Sequence, residues 1–228
     1  MDYSNYIITI IDNNSTDDSV SILDKSGINL ISHSKNYKYA KGYNKAISSL
    51  QDDNSDYYLL LNNDIICDKY LLKNLIQGTK KYGSNSLYGA KIFYAAKKDR
   101  IWYAGGKLGI LNFFISHRGI RERDSHIFSD DIITDYITGC CLLISKENFI
   151  RLDGFNQSFS MYGEDVDLSI RAQKLGMKCY LIAQAKLWHH ISSSYGGPYS
   201  LVKHIYKFGS LLKLMVKHAK QIIFGKLK

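Results

Sequence analysis

Acidic side chains stand at three points where apolar runs stop. Asp12 closes the run 6–11, Asp64 follows Tyr57–Leu61 with Asn62 and Asn63 between, and Glu164, Asp165 and Asp167 follow Gly163. At a strand end such an acid has two uses. It forms a turn by binding its own backbone, or it offers oxygen to a hard divalent cation. Asn62 and Asp64 are two residues apart, so on an extended chain both side chains point the same way and reach one cation. The cluster at 164–167 lies where a helix should begin, and a helix N-terminus favours negative charge. Asp167 with Arg171 forms an i,i+4 pair worth only ~0.3–0.5 kcal/mol. Two adjacent carboxylates behind a glycine and an aromatic-rich loop can equally set one acid in a cleft as a general base. Trp188-His189-His190 ends another apolar run and brings imidazole towards the same edge.

These groups need a scaffold that gathers strand ends. The run 6–11 is β-branched and does not alternate, as in a strand buried on both faces of a parallel sheet. A helix over 18–25, a strand over Asn29–Ser32, a loop through 36–44 and a helix over 46–50 follow. Next come a strand over Tyr57–Leu61 and a helix over 69–82. Further strands are read at 87–95 and 100–110, with a charged mobile loop over 117–131. The remaining expectations are a strand over 136–145, helices over 146–152 and 164–175, and a strand over 178–182. Strand, polar tip and helix alternate, which predicts a doubly wound, mostly parallel α/β sheet with its ligand crevice at the carboxyl ends of the strands. Asp12 and Asp64 then share one edge.

Composition narrows the class. The chain has 228 residues, 45% hydrophobic and 22% charged, which suits one packed domain and excludes a largely disordered chain. The net charge of +9 is lopsided, because residues 168–228 hold eleven basic residues and no acid. A basic end of this kind favours an anionic membrane surface or a phosphate-bearing ligand over nucleic acid, and no nucleic acid partner is expected. Cysteines 67, 140, 141 and 179 show neither metal-finger spacing nor a disulfide framework. With no leader and no run of ~18 apolar residues, the expected location is cytoplasmic.

Over residues 7–196 the motifs resemble the family 2 glycosyltransferases of the GT-A fold, especially the rhamnosyltransferase-like enzymes of bacterial surface-polysaccharide assembly. The stretch 11–17 resembles the family's nucleotide-binding strand end, which implies that Asp12, with Asn14 and Ser15, binds the donor nucleotide. Leu61-Asn62-Asn63-Asp64 resembles its DxD-type motif, implying Asp64 as metal ligand with Asn62, Asn63 and Asn44 at the nucleotide-sugar. Gly139-Cys140 resembles the small-residue segment beside the acceptor. Glu164-Asp165 resembles the ED pair, with Asp165 as base, and Trp188-His189 a late Trp-His whose imidazole joins the metal. Ser193 falls near the diphosphate.

The resemblance implies an inverting transfer from a UDP- or dTDP-sugar to a glycan or lipid-linked acceptor, assisted by Mn²⁺ or Mg²⁺. It also implies a strand and helix ahead of Asp12 that this chain does not present, so an N-terminally truncated fold with an uncovered apolar side is expected. Where the family has Asn-x-Gly, this chain reads Asn36-Tyr37-Lys38. The rival reading is a truncated, inactive glycosyltransferase-like protein that binds a partner or a membrane. Beyond a catalytic unit at 1–198, the tail 199–228 reads as a basic amphipathic helix. Its apolar stripe is Leu201, Ile205, Phe208, Leu212, Met215, Ala219 and Ile222, and it either packs on the domain or lies peripherally on the inner face of the cell membrane.

Overall fold

The computed structural model describes residues 1–50, 54–112, 114–190 and 201–224. Strands β1 (Thr9–Asp12) and β2 (Asn29–Ser32) flank helix α1 (Ser19–Ser26), and α2 (Lys38–Ser48) follows. Then come β3 (Tyr57–Leu61), β4 (Ile65–Cys67), α3 (Leu71–Tyr82), β5 (Ser86–Tyr94) and β6 (Lys97–Tyr103). Strands β7 (Gly106–Gly109), β8 (Phe114–His117), β9 (Ile132–Thr134) and β10 (Cys141–Ser145) lead to α4 (Lys146–Arg151) and α5 (Glu164–Lys174). The long strand β11 (Lys178–His189) and helix α6 (Leu201–Phe224) complete the order.

The mixed α/β architecture with a central sheet is the expected one, but the strand directions are not. The seven-stranded sheet runs β3-β10-β5-β11-β4, with β6 on β5 and β9 on β11. Only β5 and β11 run parallel within it, and every other pairing there is antiparallel. A central strand covered on both faces is a continuous apolar run in either direction, so the run alone does not fix direction. The two-residue period sorts the sheet's side chains between two cores. Cys141 and Leu143 of β10 and Tyr88, Ala90 and Ile92 of β5 face one core, while Leu142, Ile144 and Leu87 face the other.

Three local expectations are corrected. Among the described residues β1 pairs only with β2, in a separate parallel ladder. Ile7 and Ile8 ahead of it are 73% and 50% exposed, so this segment is not buried on both faces. Helix α2 starts at Lys38, eight residues before the expected 46, and Lys38 itself takes the left-handed conformation at φ 63°. The sequence thus places a lysine where its backbone favours glycine. Finally, the segment expected as a mobile loop over 117–131 is fastened. The buried Lys91 ammonium donates to Asp124 at 2.7 and 2.9 Å and to the Phe128 carbonyl at 3.0 Å, and Arg118 donates to the Ile127 carbonyl at 2.6 Å.

Candidate functional site

The register of β4 against β11 builds the first part of the site. Ile65 lies opposite His189, and the His190 N–H donates to the Asp64 carbonyl at 2.8 Å, so the polar tip after β3 meets the end of β11. β11 reaches that far through an irregularity between Ile182 and Lys186, where its register with β5 shifts, and this carries the strand past the expected end at 182. Asp64 Oδ1 and His189 Nε2 stand 2.9 Å apart. The other ring nitrogen, Nδ1, is buried and has no hydrogen-bond partner among the described residues. Trp102 packs edge-on against the ring at 4.9 Å between centroids. Burial pushes the imidazole down against the pull of Asp64, and metals bind the neutral ring.

This pair fits a divalent cation. Two adjacent ligands on an ion with bonds of ~2.1 Å stand about 3 Å apart, and the oxygen-nitrogen separation here is 2.9 Å. No group of three His, Cys, Asp or Glu exists among the described residues to form a closed metal cage. The remaining coordination positions would fall to ligand oxygens and water, as is usual for Mg²⁺-type ions.

The acid pair opens α5. Gly163, at φ 85°, turns the chain into the helix, and Leu214 stands 3.1 Å from the place where a Cβ on it would be. Asp165 is partly buried. Its Oδ2 accepts from the Gly139 N–H at 2.9 Å and its Oδ1 from the Val166 N–H at 2.8 Å. On the other side of the Gly139 peptide, the carbonyl accepts from the Tyr39 hydroxyl at 2.6 Å. Tyr43, one turn further along α2, donates to the Leu61 carbonyl at 2.7 Å. A Cβ on Gly139 would stand 2.8 Å from the Tyr39 oxygen, so this close approach requires glycine.

Glu164 is 7% exposed, and its Oε2 has no hydrogen-bond partner among the described residues. Burial, then the charge of Asp165, pushes its carboxyl up to about 8. Asp165 is pushed up by burial and held back by its backbone hydrogen bonds and by that of the Thr138 side chain. Burial and mutual repulsion together favour a single negative charge on the pair. The Cys140 thiol is pushed up by burial and also by Cys141, Asp64 and Asp165, which sets it within the field of both halves of the site. The Asn62 N–H donates to its carbonyl at 3.2 Å, while Asn63 is exposed.

The other expected residues have local tasks. Asp12 forms a turn: its carboxylate accepts from the N–H groups of Asn14 at 3.1 Å and Ser15 at 3.2 Å. Asn13 ties that tip to α2 by donating to the Lys38 carbonyl and accepting from the Tyr37 N–H, each at 3.0 Å. The ladder that ends at Asp12 and the sheet whose β3 and β4 flank Asp64 are separate. Asn44 spends its amide on both backbone groups of Phe155, at 2.7 and 2.9 Å. Asp167 is bound by Arg171 at 2.7 Å and His218 at 2.8 Å, so it braces α5 against α6. Burial raises its carboxyl, but these two partners overcome that and hold it below the usual value. Ser193 lies outside the described residues. Tyr39, Tyr43 and Trp102 were not anticipated. The two tyrosines have i,i+4 spacing on α2, a signal readable only once the helix is extended back to residue 38.

Comparison with known proteins shows the family and the fold. The model of glycosyl transferase family 2 matches residues 1–152, and that of an N-terminal domain of galactosyltransferase matches 128–194. Rhamnosyltransferase WbbL of Escherichia coli (strain K12) is 27% identical over 165 residues, covering 68% of this chain and 61% of WbbL. An N-acetylglucosaminyl-diphospho-decaprenol L-rhamnosyltransferase of Mycobacterium tuberculosis is 36% identical over 61 residues, 27% of this chain and 20% of that protein. The chain thus spans less than two thirds of these curated relatives. Among solved structures, GalNAc-T7 with UDP, GalNAc and Mn²⁺ superposes with a TM-score of 0.68 at 12% identity, over 95% of this chain and 42% of that one. TarS of S. aureus superposes with a TM-score of 0.57 at 14% identity, over 97% and 35%. Both likenesses are of fold, and the fold is GT-A.

Proposed function

The chain belongs to glycosyl transferase family 2, and from that membership we propose that it moves a sugar from a UDP- or dTDP-linked donor to a glycan or lipid-linked acceptor of a surface polysaccharide, with inversion. The observation that carries this reading is the convergence of Asp64 and His189 to 2.9 Å at the end of β11. These two residues would hold Mn²⁺ or Mg²⁺, which when bound neutralises charge on a diphosphate leaving group. An imidazole beside a carboxylate suits Mn²⁺.

Asp165 is the base of this reading. The Gly139 and Val166 N–H groups fix its carboxylate, and the Thr138 side chain adds a further hydrogen bond to it. The acceptor's O–H proton passes to Asp165, its oxygen bonds to the anomeric carbon, and the carbon–oxygen bond to the diphosphate breaks on the opposite face. The leaving group takes the bonding pair. A pair that carries one negative charge repels the diphosphate less than two would. Asp12 shapes the turn of Asn14 and Ser15 towards the nucleotide, Asn62 and Asn63 flank Asp64, and Gly139 and Cys140 line the acceptor side. Residues 1–198 make up the catalytic unit and 199–228 its tail. Work on a lipid-linked acceptor places the protein at the cytoplasmic face of the cell membrane, and no helix of the described residues is long and apolar enough to cross one.

Calorimetric titration of UDP and dTDP, with and without Mn²⁺, tests the site. Metal-dependent binding that disappears in Asp64→Ala is expected. Asp165→Asn should keep that binding and lose transfer by about 10²–10⁴-fold. A folded protein that binds neither nucleotide, or an Asp64→Ala variant that binds like wild type, refutes the donor site and leaves the inactive, partner-binding reading.

A further inference from the structure

Helix α6 has two faces, and the fold uses only one. On the inner face the Ser210 hydroxyl donates to the Met161 carbonyl at 2.9 Å and Leu214 packs on Gly163. His218 meets Asp167 at 2.8 Å and Lys174 at 3.0 Å. The outer face carries Leu201, Ile205, Phe208, Leu212 and Val216, which are 73%, 63%, 63%, 49% and 88% exposed. Their spacing of four, three, four and four makes one stripe about 22 Å long. In the 3-10 turn Ile110–Asn112, which touches α6, Ile110 and Leu111 are a further 60% and 93% exposed. Single exposed apolar residues are ordinary, but a continuous stripe of this size marks an interaction surface.

Charge identifies what covers it. Residues 168–228 contain no Asp or Glu, and Lys217 and Lys220 are exposed on the same helix, while Lys213 donates to the Ser158 carbonyl at 2.6 Å and Lys207 lies 5.4 Å over the Tyr162 ring. A second copy of the chain would set these cations against their equivalents with no acid on either helix to offset them. A nucleic acid would use the cations and leave the stripe bare. An anionic bilayer uses both, because apolar side chains enter the boundary of the acyl chains while lysine stems reach headgroup phosphates. We propose that α6 is an interfacial helix that lays the Leu201–Val216 stripe on an anionic lipid surface while its inner face stays on the domain. This does not depend on the transfer reading. The contacts to Met161, Gly163 and Asp167 surround Glu164 and Asp165, so docking through α6 also fixes the acid pair relative to the lipid surface.

Vesicle flotation of the full chain tests this with phosphatidylcholine alone and with equal parts phosphatidylcholine and phosphatidylglycerol. Wild type should float with the anionic vesicles, far less with the neutral ones, and less as salt rises. The variant I205Q/F208Q/L212Q, altered only at exposed positions, should lose at least about tenfold of that partition. It should keep its circular dichroism spectrum and its nucleotide binding, which separates this test from that of the donor site. The proposal falls if folded wild type stays behind with anionic vesicles, or if the triple variant floats as wild type does. Sedimentation showing a dimer that the triple variant dissociates, without flotation, would assign the face to a second copy and overturn the lipid reading.

Discussion

Replacing Glu164 with glutamine should stabilise the protein at alkaline pH and not at acid pH. The side chain is buried with an oxygen that no described group satisfies, and its folded pKa is raised from 4.5 to about 8. A raised carboxyl is protonated in the fold while the unfolded chain has already ionised. Stability is therefore full below pH 4.5 and is lost progressively as pH climbs towards about 8. At ~1.4 kcal/mol for each pH unit, that interval is worth about 5 kcal/mol as an upper bound. Glutamine removes this loss but buries an amide that lacks an acceptor, at a cost of ~1–3 kcal/mol. A gain on the order of 2–4 kcal/mol near pH 8 remains, or roughly 4–16 °C in thermal midpoint for a chain of this length. Thermal unfolding of both proteins across pH, followed by circular dichroism, measures the difference. A gap between variant and wild type that stays constant with pH, or a glutamine variant that melts lower at alkaline pH, would refute the raised carboxyl.

Other perturbations follow from single contacts. Lys91→Met removes three hydrogen bonds to Asp124 and Phe128. Because Asp124 is 28% exposed and keeps some water, the cost should be about 2–3 kcal/mol by chemical denaturation, below that of breaking a fully buried pair; a change under half of that would mean the 117–131 segment is held elsewhere. Gly139→Ala drives a methyl to 2.8 Å from the Tyr39 oxygen. It should cost ~1–3 kcal/mol and slow transfer more than it weakens nucleotide binding, and unchanged turnover would detach Gly139 from the base. Lys38→Gly relieves a left-handed backbone at φ 63° and should gain about 1 kcal/mol, read as a higher midpoint in urea.

Legibility in the sequence followed the range of each interaction. Elements set by local pattern were read well: β2 and β3 have the expected bounds, and α3, α4 and α5 begin or end within two residues of expectation. Strand direction was misread because it belongs to the partner strand. The pairing of Asp64 with His189 could be guessed only as two strand ends. It is made by the register of β4 on β11, between segments more than a hundred residues apart. The start of α2 was hidden by Lys38, whose left-handed backbone no residue pattern announces, and with it went Tyr39, the residue that grips the Gly139 peptide.

The tail shows how an amphipathic pattern can be right and its use inverted. An apolar stripe on a terminal helix is ordinarily the face that packs, yet here most of that stripe is bare. The domain is met by Ser210, Leu211, Leu214, Met215, His218, Gln221 and Ile222. Three of those seven are polar, and a face that includes them packs only where each polar group finds its own partner. The Met161 carbonyl serves Ser210, and Asp167 with Lys174 serves His218. Those partners are fixed by α5 and the loop ahead of it, so no reading of the tail alone could see them. His218 also leaves helical geometry at φ −140°, ψ 34°, which rotates the final turn. Ile222, assigned by period to the bare stripe, is thereby turned into the core. A helix whose inner face packs through both apolar and polar contacts still leaves the Leu201–Val216 stripe bare, and that stripe is long enough, with Lys217 and Lys220 on the same helix, to be buried at a lipid surface.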